Sequence, residues 1–307
     1  MNPRVGTQLE KVLLAGQFAL TLEIGPPQSP NPEPLRKKAA LLKGLGDGYN
    51  VTDNQTAVVR MSSIAASKII LDMGLEPVMQ MVCRDRNRIA MQSDILGAAA
   101  LGVGNLLCLT GDHQSFGDHP QAKGVFDLDS TQLIQVVKML RDDKKFLSGE
   151  KMNGEVKMYI GAAENPFGDP FEFRVMRLAR KVKAGVDFIQ TQAIFDVPMF
   201  ARWMKMVVDQ GLDKQVHILA GVIPMKSAGM AKHMAHNVPG IILPEQFVTR
   251  MEQAKDPKEE GVKICLEMMA QIKEIPGVHG IHIMAVGWED MVPSIVEKAG
   301  LMPRPQV

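Results

Sequence analysis

Residues 77–109 read PVMQMVC-RDRN-RIAMQSDILGAAA-LGVG-NLLCL. Two short apolar runs, Pro77–Cys83 and Asn105–Leu109, flank a helical pattern over Arg88–Ala100. Gly102 follows that pattern, where a residue tolerating positive φ is wanted. A strand, a crossing helix and a second strand of the same kind make one unit of a parallel βα sheet.

Working outward, the unit repeats along the whole chain. Strands are predicted near Phe18–Ile24, Gly48–Thr52, Pro77–Cys83, Asn105–Leu109, Val156–Gly161, Phe188–Thr191, His217–Val222 and Gly280–Ala285. Helices are predicted near Pro34–Leu45, Ser62–Met73, Arg88–Ala100, Ser130–Asp142, Pro170–Ala184, Pro198–Asp209, Ser227–His236 and Lys258–Glu274, with a last one near Pro293–Ala299. Gly74, Gly102, Gly185, Gly211 and Gly277 each follow a helix. Eight strands alternating with eight helices favour a closed (β/α)8 barrel over an open doubly wound sheet. No Pro/Ser/Gly-rich linker interrupts the pattern, so residues 1–307 read as a single domain. The glycines at Gly44-Leu-Gly-Asp-Gly48 and Gly102-Val-Gly104 lack the strand–GxGxxG–helix context of a dinucleotide fold and read as helix-terminating turns.

Composition narrows the function classes. A chain of 307 residues suits one barrel of roughly 250 residues with additions. Its 35 basic and 34 acidic residues leave a formal charge of +1, unlike a nucleic-acid binder with a basic stripe. No apolar stretch approaches the roughly 20 residues that span a bilayer, and Met1–Glu10 lacks the basic-then-apolar order of a secretion signal. A cytoplasmic protein is expected. Cys83, Cys108 and Cys265 are too scattered for a disulfide framework or a thiolate cage. Twenty-two methionines read chiefly as adaptable core filler.

Chemistry in such barrels sits where strands end and βα loops begin. The first strand ends Leu22-Glu23-Ile24-Gly25-Pro26-Pro27, and the second runs into Thr52-Asp53-Asn54-Gln55. Gln80 lies on the third, Thr110-Gly111-Asp112 follows the fourth, Ala163-Glu164-Asn165-Pro166 the fifth, and Gln190-Thr191-Gln192 belongs to the sixth. Six successive strands thus carry polar groups to one end, more than a purely structural barrel requires. Glu23, among apolar neighbours, suits a general acid with a raised pKa; the competing reading pairs it with a barrel Arg or Lys. Asp112 serves the site or caps the next helix. Gln192 serves the site or satisfies strand-end backbone groups. Arg177, Arg180 and Lys181 on one helix suit a phosphate, against a solvated helix face. The segment Gly111–Ser130 is long for a βα loop and reads as a lid or binding loop. Its His113 and His119 lack metal-ligand spacing and a third ligand, so no metal is expected. His233 and His236 read as a helix face.

In this order the residues resemble the methylenetetrahydrofolate reductase family. The resemblance runs from about Phe18 to Pro303. It rests on Leu22-Glu-Ile-Gly-Pro-Pro27, Thr110-Gly-Asp112, Arg180-Lys-Val-Lys-Ala-Gly185, Thr191-Gln-Ala-Ile-Phe-Asp196, Ala220-Gly-Val-Ile-Pro224 and Gly287-Trp-Glu289. It implies a TIM barrel with a flavin at its carboxyl-terminal mouth, FAD or alternatively FMN. It implies hydride transfer from flavin N5 to 5,10-methylenetetrahydrofolate, giving 5-methyltetrahydrofolate for one-carbon metabolism and methionine biosynthesis. Glu23 matches the acid that protonates N10, and Asp112 the carboxylate near flavin and pterin. Thr52, Asp53, Gln55, Gln80, Thr110, Gly111, Asp112, Phe126, Asp127, Asn165, Gly168, Arg177, Arg180 and Lys181 fall at positions resembling flavin contacts. Glu23, Asp112, Gln192, Met230, Met234 and Trp288 fall at positions resembling substrate contacts.

Four positions depart from the family pattern. Thr110 replaces an arginine, Gln80 a histidine, and Met230 and Trp288 stand for the usual Gln and Arg. These departures resemble members from anaerobic one-carbon metabolism, some of which work beside an iron–sulfur partner subunit. The implied donor is therefore NAD(P)H or such a subunit, in an oligomer. Two other classes stay open: a flavin-free pterin-binding methyltransferase barrel, and a non-catalytic subunit of an electron-transfer complex.

Overall fold

A computed structural model describes residues 3–307; Met1 and Asn2, the start of the expected 1–307 domain, lie outside the described residues. Eight strands, β1 (Ala19–Ile24), β2 (Gly48–Val51), β3 (Pro77–Val82), β4 (Asn105–Leu109), β5 (Tyr159–Glu164), β6 (Phe188–Ala193), β7 (His217–Val222) and β8 (Gly280–Ile283), pair in parallel and in chain order, and β8 closes on β1. This is the (β/α)8 barrel.

Its helices are α1 (Gln8–Leu14), α2 (Glu33–Leu42), α3 (Ser63–Asp72), α4 (Arg88–Ala100), α5 (Ser130–Lys138), α6 (Phe173–Ala184), α7 (Val197–Asp209), α8 (Ala228–Asn237), α9 (Glu245–Gln253), α10 (Pro257–Lys273) and α11 (Val292–Lys298). Side chains that accept from free N–H groups start several of them. Ser62 accepts from Ala65 N, Asn87 from Ile89 and Ala90 N, and Asp129 forms a capping box with Gln132. Among the described residues no helix is long and apolar enough to cross a membrane.

Alternation in the strands sorts the core into two parts. On β1, Leu20, Leu22 and Ile24 are fully buried and join the large cluster beneath the helices. Ala19 belongs instead to a smaller cluster with Val78, Leu107, Tyr159, Phe188 and Leu219, which fills the amino-terminal end of the barrel. Helix α1 seals that end with Leu9, Val12 and Leu13. Above this apolar plug lies a polar layer. Gln190 Nε2 donates to Thr21 Oγ1 and to Asn50 Oδ1 at 2.9 Å each, Asn50 Nδ2 donates to Gln190 Oε1 at 2.6 Å, and Thr21 Oγ1 meets His282 Nδ1 at 2.9 Å. All four residues are buried. Burial of this much polarity is tolerable because each member finds a partner.

Some expectations need correction. β5 begins at Tyr159 and runs to Glu164, three residues later than the predicted Val156–Gly161. Its pairing with β4, Asn105 to Tyr159, sets the start, whereas Val156–Met158 only lead in from an excursion bridged between Lys145 and Lys151. α5 ends at Lys138 and passes into a wider π turn, Met139–Asp143, stopped by Lys144 at φ 53°. Helices α1 and α9 were not foreseen. Seven residues give α1 too little periodicity to read; distant Glu76 supports it by accepting from the Gln8 and Leu9 amides at 2.5 and 3.1 Å. The five glycines expected to end helices all have positive φ.

Candidate active site

The strand alternation that turns Thr21, Asn50 and Gln190 into the polar layer carries the residues two further on to the open end. Glu23 follows Thr21, Thr52 follows Asn50 and Gln192 follows Gln190. Gln192 is exposed although its neighbours Thr191 and Ala193 are buried. An exposed residue on the inward face of a barrel strand marks an open mouth above the polar layer. Leu109, Ala163 and Met284, the other inward positions at this level, are likewise only half-buried.

Glu23 is half-buried, and Gln55 Nε2 approaches its Oε1 at 3.4 Å. Its pKa is raised from 4.5 to about 7. Burial is the main cause, and the nearby Glu289 adds to it; the Gln55 hydrogen bond and Lys38 act in the opposite direction. Neither Lys nor Arg makes an ion pair with Glu23 among the described residues, so the competing strand-end pairing does not occur. A carboxyl group with this pKa can hold a proton at neutral pH and give it up to a base.

On the β2–β4 side, one residue unnoticed in the sequence organises three loops. Arg84, 3% exposed, donates to both oxygens of Asp85, to the Asn54 carbonyl and to the Asp112 carbonyl. The Asp112 backbone is thereby fixed while its carboxylate stays exposed. Gly111 makes this possible. Its φ is 90°, and a Cβ there would stand 3.0 Å from Val82 Cβ and 3.2 Å from Arg84 Cβ. Thr110 Oγ1 accepts from Ser130 N, the first residue of α5, so Thr110 rather than Asp112 reaches that helix.

Other expected cofactor positions are already engaged. Asp53 is buried, held by Arg86 at 2.6 and 3.2 Å and by the Val82 amide. Asp127 pairs with Arg88 at 2.8 Å, which pulls its pKa down to about 2. Thr52 differs: its hydroxyl is buried with no hydrogen-bond partner. Gln80 is buried with only 8% exposure. Phe126 is exposed, with φ 42°, on the long loop that follows β4.

Across the mouth, Lys181 is not a solvated helix residue. It is buried and donates to Glu164 Oε2 at 2.7 Å and to the Ala163 carbonyl. Arg177 and Arg180 on the same helix are exposed, the latter stacked over Phe173 at 5.8 Å. Asn165 Nδ2 reaches the Gly240 carbonyl at 3.1 Å, tying the β5 loop to the connection between α8 and α9. Gly168 accepts from Arg174. Met230 is half-buried, and Met234 and Trp288 are buried. Among the described residues no group of three His, Cys, Asp or Glu could hold a metal ion.

Arg84, the pairing of Glu164 with Lys181 and the polar layer were not evident from the sequence. A usable signal existed for the layer: Thr21 with Glu23, Asn50 with Thr52, and Gln190 with Gln192 repeat polarity at period two on otherwise apolar strands.

Comparison with known proteins fits this arrangement. The family model described as methylenetetrahydrofolate reductase matches residues 8–300. The chain belongs to the methylenetetrahydrofolate reductase family. Methylenetetrahydrofolate reductase 1 of Schizosaccharomyces pombe is 24% identical over 239 residues, covering 75% of this chain and 37% of that protein. The 5,10-methylenetetrahydrofolate reductase of Pectobacterium carotovorum subsp. carotovorum is 22% identical over 309 residues, with 98% of this chain and 97% of the relative covered. The chain thus spans little over a third of the yeast relative and nearly all of the bacterial one. Among solved structures, a Clostridium thermocellum protein described as binding two copies of 5-methyl-5,6,7,8-tetrahydrofolic acid superposes with TM-score 0.68 at 15% identity, over 96% of this chain and 100% of that one. At that identity the likeness speaks for the fold.

Proposed function

We propose that the chain reduces 5,10-methylenetetrahydrofolate to 5-methyltetrahydrofolate, with a flavin bound at the barrel mouth. The observation that carries this is Glu23, a half-buried carboxyl on the first strand whose pKa of about 7 suits an acid working near neutrality. Membership of the reductase family supplies the matching chemistry.

The residues present fit a flavin. Thr52 leaves a buried hydroxyl without a partner, which a ligand can satisfy. Gln192 lines open space, and Arg177 and Arg180 offer exposed guanidinium groups for phosphate. Thr52, Gln80, Thr110, Asn165, Arg177 and Arg180 would hold the cofactor. Asp53, Asp127 and Lys181 would act behind them, because each is already tied to a protein partner. When bound, the flavin supplies the hydride.

The chain's own residues then prepare the substrate. Glu23 gives its proton to N10, the five-membered ring opens, and the methylene carbon becomes an electrophilic iminium. Asp112, fixed through its backbone by Arg84, offers negative charge to that cation without reorganising solvent. Gln192 presents an amide to the pterin edge. Met230, Met234 and Trp288 supply apolar wall in place of charged or amide contacts.

The test is to purify the protein, identify any released flavin, and assay methylenetetrahydrofolate with NADH, NADPH and an artificial donor. Flavin release with folate turnover is expected. Turnover with the artificial donor alone would assign electron supply to a separate protein, such as an iron–sulfur subunit. A flavin-free preparation, or a flavin-loaded one inert with every donor, removes the proposal.

A further inference from the structure

The turn after β2 holds three residues with side chains in the left-handed region: Asn54 at φ 43°, Thr56 at 56° and Ala57 at 58°. Asn tolerates this conformation, but a β-branched Thr is strongly disfavoured in it. Such strain persists only where the surrounding structure fixes it.

Here it is fixed from three sides. Arg84 donates to the Asn54 carbonyl at 3.2 Å, and Asn54 Nδ2 donates to Asp85 Oδ2 at 3.2 Å. The chain leaving the turn is tied to the loop after β1: Arg60 Nη1 donates to the Pro26 carbonyl at 3.2 Å, and the Met61 amide to the Pro27 carbonyl at 2.9 Å. From the long loop after β4, Gln114–Phe116 packs against Gln55–Ala57. The approach is so close that a Cβ on Gly117 would run into the Ala57 carbonyl oxygen.

This turn presents one functional group to the mouth. Gln55 Nε2 donates to Glu23 Oε1 at 3.4 Å, and among the described residues no other group hydrogen-bonds that carboxyl. An amide N–H directed at one carboxyl oxygen makes that oxygen an acceptor, so the proton of the acid sits on the other, Oε2. With a single long hydrogen bond, the aim of the acid depends on how firmly the donor is held.

We propose that the strained turn Asn54–Ala57 is a clamp that holds Gln55 against Glu23 and so fixes which carboxyl oxygen offers the proton to substrate. Gln55 is then a positioning residue for the acid, and Gly117 lets the β4 loop set the clamp. The inference rests on Glu23 serving as the acid of the reaction proposed above.

The experiment compares the full chain with Gln55→Ala, Gly117→Ala and the double variant. Single-turnover folate reduction is measured beside a carboxyl titration of 13C-glutamate-labelled protein, with Glu23 assigned by its loss in Glu23→Gln. Gln55→Ala removes the donor, and Gly117→Ala keeps it but drives the turn away. Each should slow folate reduction by about 10- to 100-fold. Each should also raise the Glu23 midpoint above about 7, because a donor to the carboxylate is lost. Glu289 and Lys38, which also act on Glu23, lie outside the turn and are unaltered. The double variant should be no slower than Gln55→Ala alone, since both changes remove one contact. If Gly117→Ala does not fold, Arg60→Ala, which frees the turn from the β1 loop, takes its place with the same expectation. A midpoint unmoved in either single variant overturns the proposal, as do losses that multiply in the double variant. Flavin loss in Gln55→Ala with the midpoint unmoved would make Gln55 a cofactor contact instead. The two readings fail separately. Raised midpoints in a protein that reduces no methylenetetrahydrofolate keep the clamp and remove the reductase; unmoved midpoints in an active reductase do the reverse.

Discussion

In the proposed reaction Glu23 is the proton donor. Replacing it with Gln keeps the shape and the contact with Gln55 but removes the transferable proton. Folate reduction should fall by about 10²- to 10⁴-fold, with flavin content and flavin reduction largely unchanged; a stopped-flow comparison of the two half-reactions checks this. Because the acid must be protonated, the folate half-reaction should slow as pH rises through about 7. A profile flat across that range would dismiss Glu23 as donor. Asp112→Asn keeps the loop, since Arg84 grips the backbone carbonyl rather than the side chain. It should cost about 10²-fold in folate reduction, and an unchanged rate would take Asp112 out of the mechanism. Glu23 and Asp112 were legible as candidates because they lie at or just beyond the carboxyl ends of β1 and β4, and strand ends can be read locally. Arg84 was not, since its partners Asn54, Asp85 and Asp112 come from three loops that meet only after the barrel closes.

Among the elements, the loop after β4 and the end of β5 set the mouth. Gly111→Ala forces an L-residue to φ 90° and drives a methyl group against Val82 and Arg84. A loss on the order of 1–3 kcal/mol is expected, together with weaker flavin retention, measured by denaturant melts and by absorbance after dialysis. Glu164→Gln leaves the Lys181 charge buried without its counter-ion. Breaking such a pair costs about 3–5 kcal/mol, so this variant should melt well below the parent. Equal melting would mean that Lys181 escapes to solvent. Element positions were the most legible feature of the chain. β4 and β7 begin and end where expected, because compact apolar runs bounded by turn residues are a local signal. β5 slid by three residues because its start depends on the register with β4.

Across the molecule, the polar layer couples barrel closure to pH. Burial lowers His282 to about 4, and likewise His217 at the opposite end of the barrel, where its neighbour His279 also contributes. An unfolded histidine takes up its proton near 6.5, so the folded chain binds fewer protons below that value. Stability should therefore be intact above 6.5 and fall as pH drops from 6.5 toward 4. Each residue contributes on the order of 2–3 kcal/mol by the lower limit. Glu23 has the opposite sign: its raised pKa favours the folded state below 4.5, and that contribution fades as pH rises to about 7. Melting the parent and His282→Gln at pH 7 and pH 5 separates the effects. The variant should lose less stability between the two, and an identical loss would contradict the assignment.

The order of residues along the chain was enough to establish a repeating βα architecture, a carboxyl group closing the first strand and the family to which these belong. Those properties depend on periodicity and on neighbours a few positions away. Folding was needed to choose partners: Lys181 for Glu164, Arg86 for Asp53, His282 for Thr21, and Lys38 for Glu289. Each of those choices follows from which strands and loops become adjacent when the sheet closes, and electrostatics at a few ångströms has no counterpart in linear spacing.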